Sequence, residues 1–186
     1  MKPLLKVALI SILTCGTLLT FTACSTTSIN DYKNNTPKLL PEKFFQGDLT
    51  AHGVVKNRSG KVIRYFNADI KAHWENNIGT LDEKFTFNDG EVQSRVWKLN
   101  PVKSADGVSR YTATAGDVIG DAQGITAGNA FNLHYVLAVK YEGDTINVSV
   151  NDWMWLVNEK TILNESILTK FGFKVGSIQL TIIKRD

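Results

Sequence analysis

The sequence predicts an all-β fold, an up-and-down antiparallel barrel, and three observations carry that reading. From Phe44 onward, apolar and polar residues alternate in successive runs, the period of a half-buried strand. Glycine, asparagine and aspartate punctuate the runs at short intervals, and no amphipathic helix is visible beyond a short turn near Glu159–Glu165. Many strands joined by short turns favour closure, which removes exposed sheet edges, and about eight would enclose side chains or one small ligand. A sandwich is the competing architecture.

The elements follow in chain order. Lys2 and Lys6 lead into the apolar run VALISILTCGTLLTF, which ends in FTACS. This is the layout of a secretory signal, and the run is too short and too diluted by Ser, Thr and Gly for a membrane span of about 20 apolar residues. Thr22-Ala23-Cys24 resembles the lipobox of bacterial lipoproteins, with Phe21 a mild departure from the usual leucine. Residues 1–23 are therefore expected to be a lipoprotein signal peptide and Cys24 the acylated first residue. Ser25 after the cysteine, by resemblance to enterobacterial sorting, favours the outer membrane. Residues 24–43, polar and carrying Pro37 and Pro41, read as a flexible tether, and residues 44–186 as a single barrel domain. Loss of Lys2 and Lys6, with no acidic residue before Cys24, lowers the formal charge from +3 to +1. With no basic cluster there is no electrostatic footprint for nucleic acid.

Two hairpins can be placed in register. In FTFNDGEVQSRVW, a three-residue loop Asn88-Asp89-Gly90 with Gly90 left-handed sets Phe85 opposite Gln93, Glu83 opposite Arg95 and Leu81 opposite Trp97. The rival two-residue loop would oppose Lys84 and Arg95, a like-charge pair. The expected pair is Glu83 with Arg95. In the second hairpin a Gly143-Asp144 turn sets Tyr141 against Ile146, Val139 against Val148, Leu137 against Val150 and Tyr135 against Asp152. Asp152 then lies in an apolar stripe from Ile146 to Leu156, where a carboxylate needs a partner.

The segment AGDVIGDAQGITAGNA has glycine at 116, 120, 124 and 128. A helix would lose about 1 kcal/mol at each interior glycine, and the Walker and calcium-repeat patterns are absent. Four is twice the strand period, so in extended chain all four glycines point one way. The expectation is a bent or broken strand whose bare backbone admits a bulky group, an aromatic side chain or a ligand. In NDWMW, Trp153 and Trp155 share the face opposite Met154; a cavity cap, a membrane surface and a covering segment are the roles open to them.

Catalytic constellations are scarce. His52, His73 and His134 fall in separate runs without metal-ligand spacing, so no metal and no cofactor are expected, and no catalytic residue is assigned. Candidate ligand-binding residues are Glu83, Arg95, Trp97, Tyr135, Asp152, Trp153, Gly120 and Gly124.

The ordered set FFQGDLTAHG, GTLDEKFTFNDGE, RVW, AGDVIGDAQG, GNA, DWMW and KFGFKVG resembles the bacterial lipoprotein family called domain of unknown function 3833. That resemblance implies a lipocalin-like barrel on an envelope lipoprotein of Gram-negative bacteria, facing the periplasm, and hints at a lipid ligand. It supplies no activity and no catalytic residues. The expected function is an outer-membrane-anchored barrel, attached through its lipid anchor, that binds or shields a small apolar ligand such as a fatty acyl lipid. The alternatives are a lipid-modifying enzyme of isomerase or cyclase type and an envelope assembly factor with a filled barrel. An apolar cavity favours the first, a cavity with Glu83 or Asp152 bared to it the second, and a packed lumen the third.

Cys24→Ser is expected to abolish incorporation of labelled fatty acid and to release the chain from the membrane fraction. Unchanged labelling would refute Cys24 as the acylation site.

Overall fold

Between bulges, inward and outward side chains alternate along the strands, and this parity assigns residues to lumen or outer wall. In the computed structural model, which describes residues 27–103, 108–141 and 143–185, the pattern is plain in one stretch. Phe66, Ala68, Ile70 and Ala72 are buried, while Asn67, Asp69 and Lys71 between them are exposed. The signal peptide and Cys24 lie outside the described residues.

Ten strands form the wall: β1 (Gly47–Asn57), β2 (Val62–Glu75), β3 (Ile78–Phe87), β4 (Val92–Val102), β5 (Ser109–Thr114), β6 (Val118–Ala127), β7 (Ala130–Tyr141), β8 (Asp144–Asn158), β9 (Thr161–Lys170) and β10 (Phe173–Lys184). Each pairs antiparallel with its sequence neighbour, and β1 pairs with β10 from Leu49↔Lys184 to Asn57↔Gly176, closing the barrel. The up-and-down barrel is as expected, with ten strands in place of about eight. One extra strand comes from residues 161–170, expected in part as a helical turn. Ile162, Asn164, Ser166 and Leu168 line their inner face, a period of two that runs through the expected turn.

The first hairpin has the expected register: Leu81↔Trp97, Glu83↔Arg95 and Phe85↔Gln93, with Gly90 at φ +86°. The second keeps the expected parity but slides by two residues, to Val139↔Ile146, Leu137↔Val148 and Leu133↔Asp152. Gly143, at φ +89°, occupies the second place of the two-residue loop, where a left-handed residue matches the strand twist. Starting the loop at Gly143 would have left that second place to Asp144.

A single-turn helix, α1 (Pro41–Phe44), plugs one end. Leu39, Pro41, Phe44 and Phe45 are buried there against Leu49, Ala72, Leu99 and Ile162. Polar contacts hold the plug at its edges. Trp74 Nε1 donates to the Phe45 carbonyl at 3.0 Å, Lys184 Nζ to the Lys43 carbonyl at 2.9 Å, and the Tyr111 hydroxyl to Glu42 Oε2 at 3.0 Å. Within the segment expected as a flexible tether, Leu39 and Pro41 are thus buried on the barrel, while residues 27–38 include no buried side chain. A 3₁₀ turn, Ile29–Tyr32, carries a Ser28/Asp31 capping box. Tyr32 then packs on Trp153 and Trp155 with ring centroids 5.6 and 6.1 Å away. Composition marked the segment as polar; its few large residues, Tyr32, Leu39 and Pro41, were enough to dock it.

The four glycines do not share a face. Gly120 has φ +70° and lies within the register shift between Ile119 and Gln123, where the strand bulges. A Cβ on Gly124 would stand 2.7 Å from Phe131 Cε2, so an aromatic ring does lie against bare backbone there. At Gly128, φ +53°, a Cβ would meet the Tyr32 carbonyl oxygen at 1.8 Å, because the N-terminal segment crosses directly above. Gly116 has open space around it.

Gly124→Ala is expected to cost about 1–3 kcal/mol by overpacking, since Phe131 is 1% exposed and held edge-on by Tyr111 at 5.6 Å. Gly116→Ala should change stability by less than about 0.5 kcal/mol. Denaturant titration checks both; equal effects at the two positions would contradict the close approach at Gly124.

Candidate functional site

The lumen above the plug is not filled. A cavity of about 970 Å³ opens at the end opposite α1, near the upper bound of ordinary ligand pockets. Its walls are mainly apolar: Phe66, Phe85, Phe87, Trp97, Leu133 and Leu168 are among them. Parity puts them there, since all lie at inward positions of β2, β3, β4, β7 and β9. A shallower hollow of about 650 Å³ runs over the outer wall beside His52, Tyr65, Leu163 and Gln179; it is open to solvent and collects no buried charge.

Polar groups enter the apolar lumen in one band. Arg95 Nε donates to both carboxylate oxygens of Asp117 at 3.0 Å, and Nη2 donates to Oδ2 at 2.7 Å, a bidentate pair. Glu83 faces Arg95 across the β3–β4 ladder but accepts no hydrogen bond among the described residues. The expected Glu83–Arg95 ion pair is therefore replaced by Arg95–Asp117. The guanidinium fork takes the carboxylate that the β5–β6 turn brings to it. Asp152 accepts from Ser166 Oγ at 2.7 Å and from Asn164 Nδ2, both on β9. Tyr135 packs edge-on against Trp97 at 5.3 Å.

The energetics of this band follow from desolvation. Burial raises the Glu83 carboxyl to about 7; Arg95 pulls it down, and Asp152, Asp117 and Asp82 push it further up. Although deep in the barrel, Glu83 is only half-buried because its side chain borders the empty cavity. Burial lifts Asp152 to about 6 against the lowering by Ser166, Asn164 and Arg95. The Tyr135 phenol is driven well above its ordinary range by burial, with Asp152 adding to the shift. Burial opposes the charge on Arg95, but Asp117 and Glu83 outweigh it and the guanidinium is held more firmly protonated. Near neutral pH the cavity thus offers one exchangeable proton on Glu83, a neutral phenol and a committed cation.

Of the expected site residues, Glu83, Arg95, Trp97, Tyr135 and Asp152 are brought together on the cavity. Trp153 is on the outer wall, stacked parallel on Trp155 at 5.8 Å and capped by Tyr32. Gly120 is at an exposed bulge, and Gly124 is beneath Phe131; neither borders the cavity. Asp117, Asn164 and Ser166 were missed. Asn164 and Ser166 were findable, because continuing the alternation Ile162-x-Asn164-x-Ser166-x-Leu168 puts two polar groups beside Asp152. Asp117 had no such signal, its pairing with Arg95 being a contact between β4 and the β5–β6 turn. No cluster of His, Cys, Asp or Glu among the described residues could hold a metal ion, and none of their helices is long and apolar enough to cross a membrane.

A family model described as "Protein of unknown function (DUF3833)" matches residues 18–184. No curated protein matches the sequence. Among solved structures, the barrel is similar to the S-type phycobiliprotein lyase CPES of Guillardia theta, with TM-score 0.56 and 15% identity over 80% of this chain and 93% of that one. It is also similar to a protein of unknown function from the DUF3598 family of Nostoc punctiforme, with TM-score 0.54 and 14% identity over 81% of this chain and 51% of that one. At these identities the likeness shows the fold.

The raised carboxyl pKa values predict a pH dependence with a definite sign. The folded state holds the Glu83 and Asp152 protons more tightly than the unfolded chain, whose values are 4.5 and 3.8. Their contribution is full below those values and is lost as pH rises through about 6 and 7. His134 acts oppositely, because burial lowers its pKa below 6.5 and its contribution is lost as pH falls. The ligand-free chain should therefore lose stability from Glu83 as pH rises from 4.5 to about 7, and Glu83→Gln should flatten that part of the profile. Thermal melts across the range check this; an unchanged slope in Glu83→Gln would refute the assignment.

Proposed function

We propose that this chain, which belongs to the DUF3833 family, is a binding protein whose barrel holds one small, largely apolar molecule, such as a fatty acyl chain, with its polar end at Glu83, Arg95 and Tyr135. The observation that carries the reading is the cavity itself: about 970 Å³, plugged at one end and open at the other, with apolar walls, a polar band inside and further polar side chains, Arg64, Glu91, Gln93 and Lys140, in its lining. Displacing water from such walls yields roughly 0.8 kcal/mol per buried CH₂. A carboxyl that is readily protonated and a phenol can hydrogen-bond a carboxylate or hydroxyl end without adding charge to the lumen. A filled, purely structural barrel is disfavoured by the same space. In this reading Cys24 acylation keeps the barrel at the outer membrane, facing the periplasm, near a source of lipid.

A second reading has one specific observation behind it. Glu83 borders the cavity, lacks a hydrogen-bond partner among the described residues and titrates near 7, the condition of a general acid or base. Acid–base chemistry on a bound lipid would use it.

Native mass spectrometry of the chain purified from membranes is expected to show an added small mass that organic extraction removes. Fatty acid added afterwards should perturb the emission of Trp97 in the lumen and leave Trp97→Phe unresponsive. An empty barrel that also takes up no fatty acid would overturn the binding reading. Conversion of the extracted lipid by the native chain, but not by Glu83→Gln, would establish the enzymatic reading in its place.

A further inference from the structure

The rim around the open end carries apolar side chains that neither the cavity nor the core uses. The β9–β10 hairpin closes through Phe171 and Gly172, both at positive φ, +51° and +81°, between the paired residues Lys170 and Phe173. At the opposite end of the barrel, the β2–β3 hairpin meets the same requirement with Asn76 and Asn77, at φ +50° and +63°. Asparagine tolerates the left-handed region; a phenylalanine there is strained. Burial does not compensate, since Phe171 is 88% exposed and Phe173 67%.

The neighbouring tip extends the patch. Because Asn57 pairs with Gly176, the β1–β2 hairpin stands beside the β9–β10 hairpin and adds exposed Val62 and Ile63. Residues 54–63 and 169–178 contain Lys56, Arg58, Lys61, Lys170 and Lys174 and no aspartate or glutamate. On either side the charge changes: Asp89 and Glu91 of the next tip share the single Arg64 at 2.8 Å, a cluster that keeps one net negative charge, and the β7–β8 tip carries exposed Asp144, so the positive charge is confined to the β1–β2 and β9–β10 tips.

We propose that the β1–β2 and β9–β10 tips dock the open end of the barrel onto an anionic lipid surface, with Phe171 and Phe173 entering the headgroup boundary and Arg58, Lys61 and Lys174 meeting the phosphates. Exposed aromatics flanked by cations are the signature of interfacial contact, and two adjacent tips that carry cations and no acid of their own are complementary to anionic headgroups. The strained turn fits this use, because it projects an exposed aromatic ring outward at the open end of the barrel. The docking stands whether or not the cavity binds lipid; if it does, the mouth would face the surface that supplies it.

The test is hydrogen–deuterium exchange on the full chain, with and without vesicles of mixed phosphatidylglycerol and phosphatidylcholine. An anchor at the N-terminus alone would leave these tips exchanging freely, which separates docking from acylation. Amides of residues 57–63 and 170–176 are expected to gain protection on the mixed vesicles, to lose most of it in high salt and to gain little on phosphatidylcholine alone. In Phe171→Asn/Phe173→Ser the vesicle-induced protection should disappear while the melting temperature stays equal or rises, because asparagine relieves the turn. Protection that is absent, that is independent of lipid charge and salt, or that survives in the double variant would overturn the proposal. Tip protection by a soluble cell extract but not by vesicles would overturn it in favour of a protein partner.

Discussion

The pairing of β1 with β10 is the constraint on which the rest of the structure depends. A ten-strand meander leaves its first and last strands as edges, and joining them from Leu49↔Lys184 to Asn57↔Gly176 abolishes both. Closure also makes the inward face of every strand a lumen, so residues far apart in sequence must share one enclosed space. Because successive turns alternate between the two ends, the chain has one set of tips to plug and another to leave open. Leu39 to Phe45 cover the first set, and the cavity mouth and the Phe171 hairpin occupy the second.

Enclosure turns ordinary side chains into an electrostatically coupled band. Arg64 at the rim, with Asp89 and Glu91, forms an ion cluster beside water, where screening keeps such pairs worth little. Arg95 makes the same kind of contact inside the barrel, where its fork is taken by Asp117 and it acts on Glu83 and Asp152 through its charge alone. Asp152 is relieved by Asn164 and Ser166, while Glu83 is relieved mainly by holding its proton. The unequal treatment of these two carboxyls is what gives the cavity a chemical character beyond apolar volume.

Much of this was legible in the residues, and the failures have physical causes. The first hairpin could be registered because a left-handed glycine and the exclusion of a Lys84–Arg95 contact left one solution. In the second, the apolar faces coincide in either of two registers that differ by two residues, so parity was readable and the offset was not. Asn164 and Ser166 escaped notice because Thr161 to Lys170 were not followed as one alternating run. The glycine ladder is not one device: Gly120 serves a bulge with a positive φ, Gly124 makes room for the Phe131 ring and Gly128 for the crossing N-terminal segment.

The sequence by itself determined the strand class, the parity of each strand and hence that Glu83, Arg95, Trp97, Tyr135 and Asp152 would face inward, because side-chain alternation is a property of extended backbone and needs no partner. Tertiary structure alone decided that Arg95 would bind Asp117 and not Glu83, that Tyr32 would cover Trp153 and Trp155, and that ten strands would leave a cavity. Those outcomes depend on lateral offset, on closure and on which distant segment reaches a site first, and these are set by the summed packing of the whole barrel, not by any local run of residues.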